Sequence, residues 1–116
     1  MKKYLVLYRS ESALSGVSVA EMMANTPPEQ MTAGMALWHA WHEKTDGKVT
    51  DLGAPLDKST AVTSSSSAAE KTAITGYSIL QAESIDEVVA PMKDHPHFRM
   101  PGSSVQLLEC VPMPGM

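Results

Sequence analysis

The chain has one cysteine and one phenylalanine among its 116 residues, and no run of lysine or arginine. The lone thiol, Cys110, has no partner within the chain, so a disulfide scaffold is excluded and a reducing, cytoplasmic compartment is the simplest setting. Buried in a strand, that cysteine is expected to be inert. The missing basic runs and the formal net charge of −4 argue against nucleic acid, whose phosphates call for a basic surface. The apolar run from Tyr4 to Tyr8 is broken by Arg9, Ser10 and Glu11. It is too short for a signal-peptide core or a membrane span, so no membrane partner is expected. There is no glycine-rich phosphate loop and no dinucleotide fingerprint. No Gly-x-Ser-x-Gly turn surrounds Ser64 to Ser67. No cysteine pair or His-Glu-x-x-His pattern supports a metal, although four histidines are present. Neither a metal nor a cofactor is expected.

What remains is a globular composition, 43% hydrophobic and 19% charged, of a length that fits one domain spanning residues 1–116. Tyr4 to Tyr8 reads as a strand. Leu5 and Leu7 point to one side, and Tyr4, Val6 and Tyr8 to the other. A strand with one wet face alternates apolar and polar residues. This one is apolar on both faces and expects cover on both, from its own helices and from a second subunit. Ser18-x-x-Glu21 is a capping box before a short helical turn. Thr26 as N-cap, Pro27 at the first helical position and Glu29 predict a helix from about Pro27 to Asp46, stopped by Gly47. Met31, Gly34, Met35, Trp38, Trp41 and His42 share one face of it.

Lys48 to Leu52 and Ser59 to Thr63 read as short strands, Gly53 to Leu56 as a turn, and Ser64 to Ser67 as a loop tip. Ala73 to Ala82 reads as a strand with a bulge or close approach at Gly76. Ser84-x-x-Glu87 opens a helix to about Lys93, with Pro91 inside it and His95-Pro96 beyond its end. Ser104 to Val111 is the last strand. The order predicts an α+β fold: a ferredoxin-like split βαβ arrangement, with an antiparallel sheet and two main helices on one face. The uncovered face predicts a homodimer.

Several segments together are similar to the YCII-related (DGPF-type) family. They are Lys3-Tyr-Leu-Val-Leu-Tyr-Arg-Ser, Met35-Ala-Leu-Trp-His-Ala-Trp, Gly53-Ala-Pro-Leu, Gly76-Tyr-Ser-Ile, Ser84-Ile-Asp-Glu, Lys93-Asp-His-Pro-His and Pro112-Met-Pro-Gly. The resemblance implies a dimeric α+β barrel and a largely unassigned activity. Some relatives are suspected enzymes with a histidine–aspartate pair in a cleft. Here Ser64 to Ser67 stand where the Asp-Gly-Pro-Phe segment belongs, and Met31, Thr32 and Ala36 where the relatives' histidine is expected. The relatives' catalytic pair is therefore not carried over.

The candidate chemistry lies on the long helix. His39 and His42 are three residues apart and neighbours on its surface. A buried imidazole is a good acid/base, because its pKa lies near neutral and shifts readily. Asp51 is the nearest carboxylate to orient it. Trp38 and Trp41 are candidate walls of a ligand pocket, Tyr77 a hydroxyl facing it, and His95 a further ligand contact. Core packing explains the tryptophans equally, and a charge facing a helix C-terminus explains His95. Two function classes stay open: a small histidine acid/base enzyme with a cleft near the first helix, and a non-catalytic small-molecule-binding or protein-interaction module.

Overall fold

Alternation along the first strand fixes the layering. β1 (Lys2–Ser10) buries Tyr4, Val6, Tyr8 and Ser10 and leaves Leu5, Leu7 and Arg9 half-buried. Successive side chains of a strand point to opposite faces, so one face of its sheet is sealed and the other open. The structure, a computed structural model, describes residues 1–115. After β1 come a 3-10 turn (Glu11–Ser15), α1 (Val19–Ala24), α2 (Pro28–Lys44) and β2 (Val49–Pro55). A hairpin of β3 (Ser59–Val62) and β4 (Ser67–Glu70) follows. The chain then forms β5 (Ile74–Ala82), α3 (Ile85–Met92), a second 3-10 turn (Pro96–Arg99) and β6 (Ser103–Cys110).

The main sheet has the order β2-β5-β1-β6, and every neighbouring pair is antiparallel. β1 and β2, joined through α2, are split by β5. The chain is thus α+β with an antiparallel sheet, consistent with the ferredoxin-like arrangement expected from the sequence. Trp41 of α2 and Val88 and Met92 of α3 pack with Tyr4, Val6, Tyr8, Leu80 and Ala82. Both main helices therefore cover the same face. Each large apolar side chain sealed there contributes roughly 1.5–3 kcal/mol.

The capping boxes are used unevenly. Ser18 Oγ accepts from the Glu21 N–H at 2.9 Å and opens α1 as expected. Thr26 does not open α2. Its hydroxyl donates to the Met22 carbonyl at 2.6 Å, satisfying an orphan acceptor at the end of α1. Pro27 is the residue before the helix, and Pro28 takes the first helical position. Ser84 makes no side-chain cap, while Glu87 Oε2 accepts from the Glu83 N–H at 2.7 Å. α3 keeps Pro91, whose carbonyl accepts from Trp41 Nε1 at 2.9 Å. That bond fills a carbonyl near the helix end that the helix itself cannot satisfy.

Two segments differ from the expectation. Gly53 to Pro55 is not a turn but a bulged part of β2, and the β2–β5 register slips between Asp51 and Ala54. Ser64 to Ser66 is the turn of a hairpin, with Ser67 already in β4, so the serine run is not a structureless tip. The bulge expected at Gly76 is present, as a register shift where Tyr8 faces it and Arg9 pairs with Ile74. Cys110 is exposed, not buried.

On the open face Leu5 lies opposite Ile79 and Leu108, and Leu7 opposite Tyr77. The molecule is a slab of 45 × 37 × 21 Å. Its radius of gyration is 15.7 Å, against about 13 Å for a compact chain of this length. Among the described residues no helix is long and apolar enough to cross a membrane.

Candidate functional site

A cavity of about 250 Å³ opens where the N-terminal half of α2 passes over the β2 bulge. Its walls are built in layers. Tyr8 and Trp38 form an aromatic corner, their rings 5.1 Å apart and steeply inclined. Met23, Met31 and Met35 come from α1 and α2, and Leu52 to Pro55 from the bulge. Methionine is unbranched and polarizable, so such a wall adapts to the shape of what enters. Among the described residues no lysine, arginine, aspartate or glutamate lines the space.

Two polar devices meet at this cavity. In the first, Ser78 donates to the Leu52 carbonyl at 2.6 Å, which leaves its oxygen to accept from the Tyr8 phenol at 2.9 Å. Burial is the main reason the phenol is pushed up to about 12, the Ser78 bond opposing it. Tyr8 is therefore a fixed neutral donor, already committed to the protein.

The second device is His97, which is buried and lines the cavity. Its Nε2 lies 2.8 Å from the Arg9 carbonyl. A carbonyl only accepts, so Nε2 carries a proton, and in the uncharged form of the ring the lone pair is then at Nδ1. Among the described residues His97 is the one imidazole on this wall.

His95 stands directly behind. Its ring centroid is 4.3 Å from Trp41, 4.4 Å from Trp38 and 4.8 Å from Tyr8. His95 Nδ1 accepts from the His97 backbone N–H at 2.9 Å, opening the 3-10 turn that carries His97. Nε2 must then hold the ring proton, and among the described residues it is the one buried side-chain polar atom with no hydrogen-bond partner. Burial, helped by the neighbouring His97, pushes this imidazole down to about 3. At neutral pH it is uncharged, so it offers no cation to the α3 dipole. Its role is to hold the turn and support the aromatic corner.

The expected catalytic set is not brought together. His39 is exposed and His42 half-buried on α2, and neither borders the cavity. Asp51 is exposed on β2 opposite Ile79, a residue of the open sheet face, whereas α2 covers the other face. Its Oδ1 accepts from the Gly53 N–H at 2.8 Å and shapes the bulge. Of the expected ligand contacts, Trp38 lines the cavity, and Tyr77 borders it where β5 passes the bulge. Tyr77 alternates with the buried Gly76 and Ser78, which places its side chain on the open face. Trp41 is buried in the core, and His95 packs behind the cavity wall.

Tyr8, Ser78 and His97 were not among the expected site residues. The Tyr4–Val6–Tyr8 alternation marks the sealed face, but the pairing of His97 with Arg9 joins positions 88 apart. Among the described residues no three His, Cys, Asp or Glu side chains are grouped to hold a metal ion. No family model matches the chain, and no curated protein matches it.

Proposed function

We propose that the chain is a YCII-related domain that works as a homodimer, an α+β barrel closed through its open sheet faces, and that its cavity takes up a small neutral molecule. The molecule is mainly apolar and carries one hydrogen-bond donor for His97 Nδ1. The carrying observation is the cavity itself: thioether and aromatic walls, no charged side chain, and one imidazole whose free nitrogen is an acceptor. Ligand sites combine apolar walls with a few placed polar groups in this way.

Surface area supports the dimer. A folded monomer of 12.5 kDa exposes about 6,200 Å² by the usual scaling. This chain exposes 7934 Å². The excess, roughly 1,700 Å², is what a large homodimer buries per subunit. Leu5, Leu7, Ile79 and Leu108 would supply its apolar centre.

The binding reading is tested with fragments of similar size. Phenol and cyclohexanol are expected to bind at least tenfold tighter than benzoate or butylamine, read from tryptophan fluorescence in Trp41→Phe, where Trp38 is the remaining tryptophan. His97→Phe keeps the wall and removes the acceptor, so phenol affinity should fall about tenfold, the worth of one hydrogen bond. Equal binding of charged and neutral fragments, or no change in the variant, contradicts the reading.

One observation favours the enzyme reading beside it. A fixed Nε2–H tautomer leaves Nδ1 free to act as a general base on a ring that lines the cavity. His97 would then take the place that His42, His39 and Asp51 were expected to fill. Solvent deuterium exchange at an acidic C–H of a bound ketone, lost in His97→Phe, would distinguish an enzyme from a binding module.

A further inference from the structure

The β3–β4 hairpin is not part of the main sheet; among the described residues its strands pair only with each other. From Asp57 to Lys71 no residue is buried, β4 is exposed throughout, and Val62 is 74% exposed. An isolated two-stranded hairpin is at best marginal in water. This one is nevertheless built with care at both ends. At its tip the Thr63 N–H donates to the Ser66 carbonyl at 2.7 Å, and Thr63 Oγ1 accepts from the Ser66 N–H at 3.1 Å. At its root the Asp57 carboxylate accepts from the N–H groups of Val19, Ala20 and Lys58. Those backbone bonds, Ala20 foremost, hold the Asp57 carboxyl below its ordinary value. Lys58 follows at a positive φ of 42°, which sets the angle at which the hairpin leaves the body. A projection braced at its root against α1, yet with its tip and the whole of β4 exposed, is held ready for a partner.

Its composition says what kind. From Ser59 to Ala69 there is no charged residue and no proline. Exposed strand edges are normally blunted by lysine, proline or inward charges, and here Lys58, Glu70 and Lys71 stand only at the root, leaving the rest of the edge without them. Cross-strand pairing places Thr60, Val62, Ser67 and Ala69 on one flat, neutral side. The hairpin leaves β2 after Pro55 and re-enters β5 at Ile74, two strands of the sheet whose open face is proposed above as the dimer surface. It therefore begins at the margin of that surface. The surface excess over a compact monomer is also large enough to include it.

We infer that the β3–β4 hairpin is an arm that lies on a second copy of this chain, Val62 being its apolar anchor, with the second copy's arm lying reciprocally on the first. A two-fold axis makes each contact occur twice. The absence of charge lets the arm approach a chain of net charge −4 without repulsion. This inference rests on the homodimer proposed above, and one set of measurements separates the two.

Sedimentation of the full chain, of Val62→Glu, of a variant with residues 59–70 replaced by Gly-Gly, and of Leu7→Glu gives four dissociation constants. Val62→Glu is expected to weaken the dimer at least tenfold, and excision at least a hundredfold, with far-UV circular dichroism unchanged for Val62→Glu. Leu7→Glu, on the open sheet face, should dissociate it. A dimer that Leu7→Glu breaks while neither hairpin change moves its constant would overturn the arm and leave the sheet-face dimer standing. A full chain that sediments as a monomer would overturn both. Val62 is an exposed position, so its variant answers the question even if the excised chain does not fold.

Discussion

Gly53→Ala is expected to destabilise the protein by about 3 kcal/mol or more, at the upper end of single substitutions. Gly53 has φ +83°, and a Cβ placed there would lie 1.7 Å from the Tyr77 carbonyl oxygen. Left-handed backbone alone costs a side chain about 1–2 kcal/mol. The clash adds to it and has no inexpensive escape, because the obstacle is the backbone of β5, between two strands. Gly47 supplies the control. Its φ is +78°, but nothing lies within 4 Å of its would-be Cβ. Gly47→Ala should therefore cost only the conformational part, about 1 kcal/mol. Urea denaturation of both variants measures the difference. Equal losses would mean that the bulge opens freely, and that the wall formed by Leu52 to Pro55 is not a fixed element of the cavity.

The second large effect is a loss of stability in mild acid that belongs to His95. Its folded pKa, about 3, lies below the ordinary value of 6.5. The unfolded chain therefore binds the proton first as pH falls, and the equilibrium shifts toward unfolding. The stabilisation is fully present above about pH 6.5 and is lost progressively down to about pH 3, at up to ~1.4 kcal/mol per pH unit. By pH 5 the loss amounts to about 2 kcal/mol. The surroundings sharpen the effect. Tyr8, Trp38 and Trp41 enclose the ring, the neighbouring His97 disfavours a charge on it, and Lys44, Asp94 and Arg99 border the shallow hollow on its outer side. In His95→Asn a carbonyl oxygen can still accept the His97 N–H, but nothing titrates. Its stability between about pH 8 and pH 5 should fall about 2 kcal/mol less than that of the native chain. Parallel curves for the two proteins would place the acid sensitivity elsewhere.

The sequence shows best what short-range rules decide. The two-faced apolar strand Tyr4 to Tyr8, the capping box at Ser18, the long helix and its Trp38–Trp41 face, and the irregularity at Gly76 are local patterns, and each is found in place. Gly53-Ala-Pro-Leu misleads because glycine and proline punctuate turns. Here the glycine serves a bulge, and Pro55 sits on β2, an edge strand that can spare its N–H. Thr26 misleads because two helix ends compete for one hydroxyl, and the end of α1 wins. β4 is invisible because Ser67 to Glu70 has no strong strand former, and only pairing with β3 makes it a strand. The site was least legible of all. His39, His42 and Asp51 were singled out by residue type, whereas His97 depends on a carbonyl at the far end of the chain and on the turn that His95 builds. Tyr8 joins the site through Ser78, seventy positions away.

The most direct test of the account is nitrogen-15 NMR of the histidine side chains near neutral pH, before and after addition of phenol. His97 Nε2 is expected to carry its proton while Nδ1 shows the shift of a bare acceptor, and phenol is expected to move the His97 Nδ1 resonance while His39 and His42 stay in place. A His97 protonated on Nδ1, or a phenol response confined to His39 and His42, would contradict it and return the chemistry to the His39–His42 side of α2.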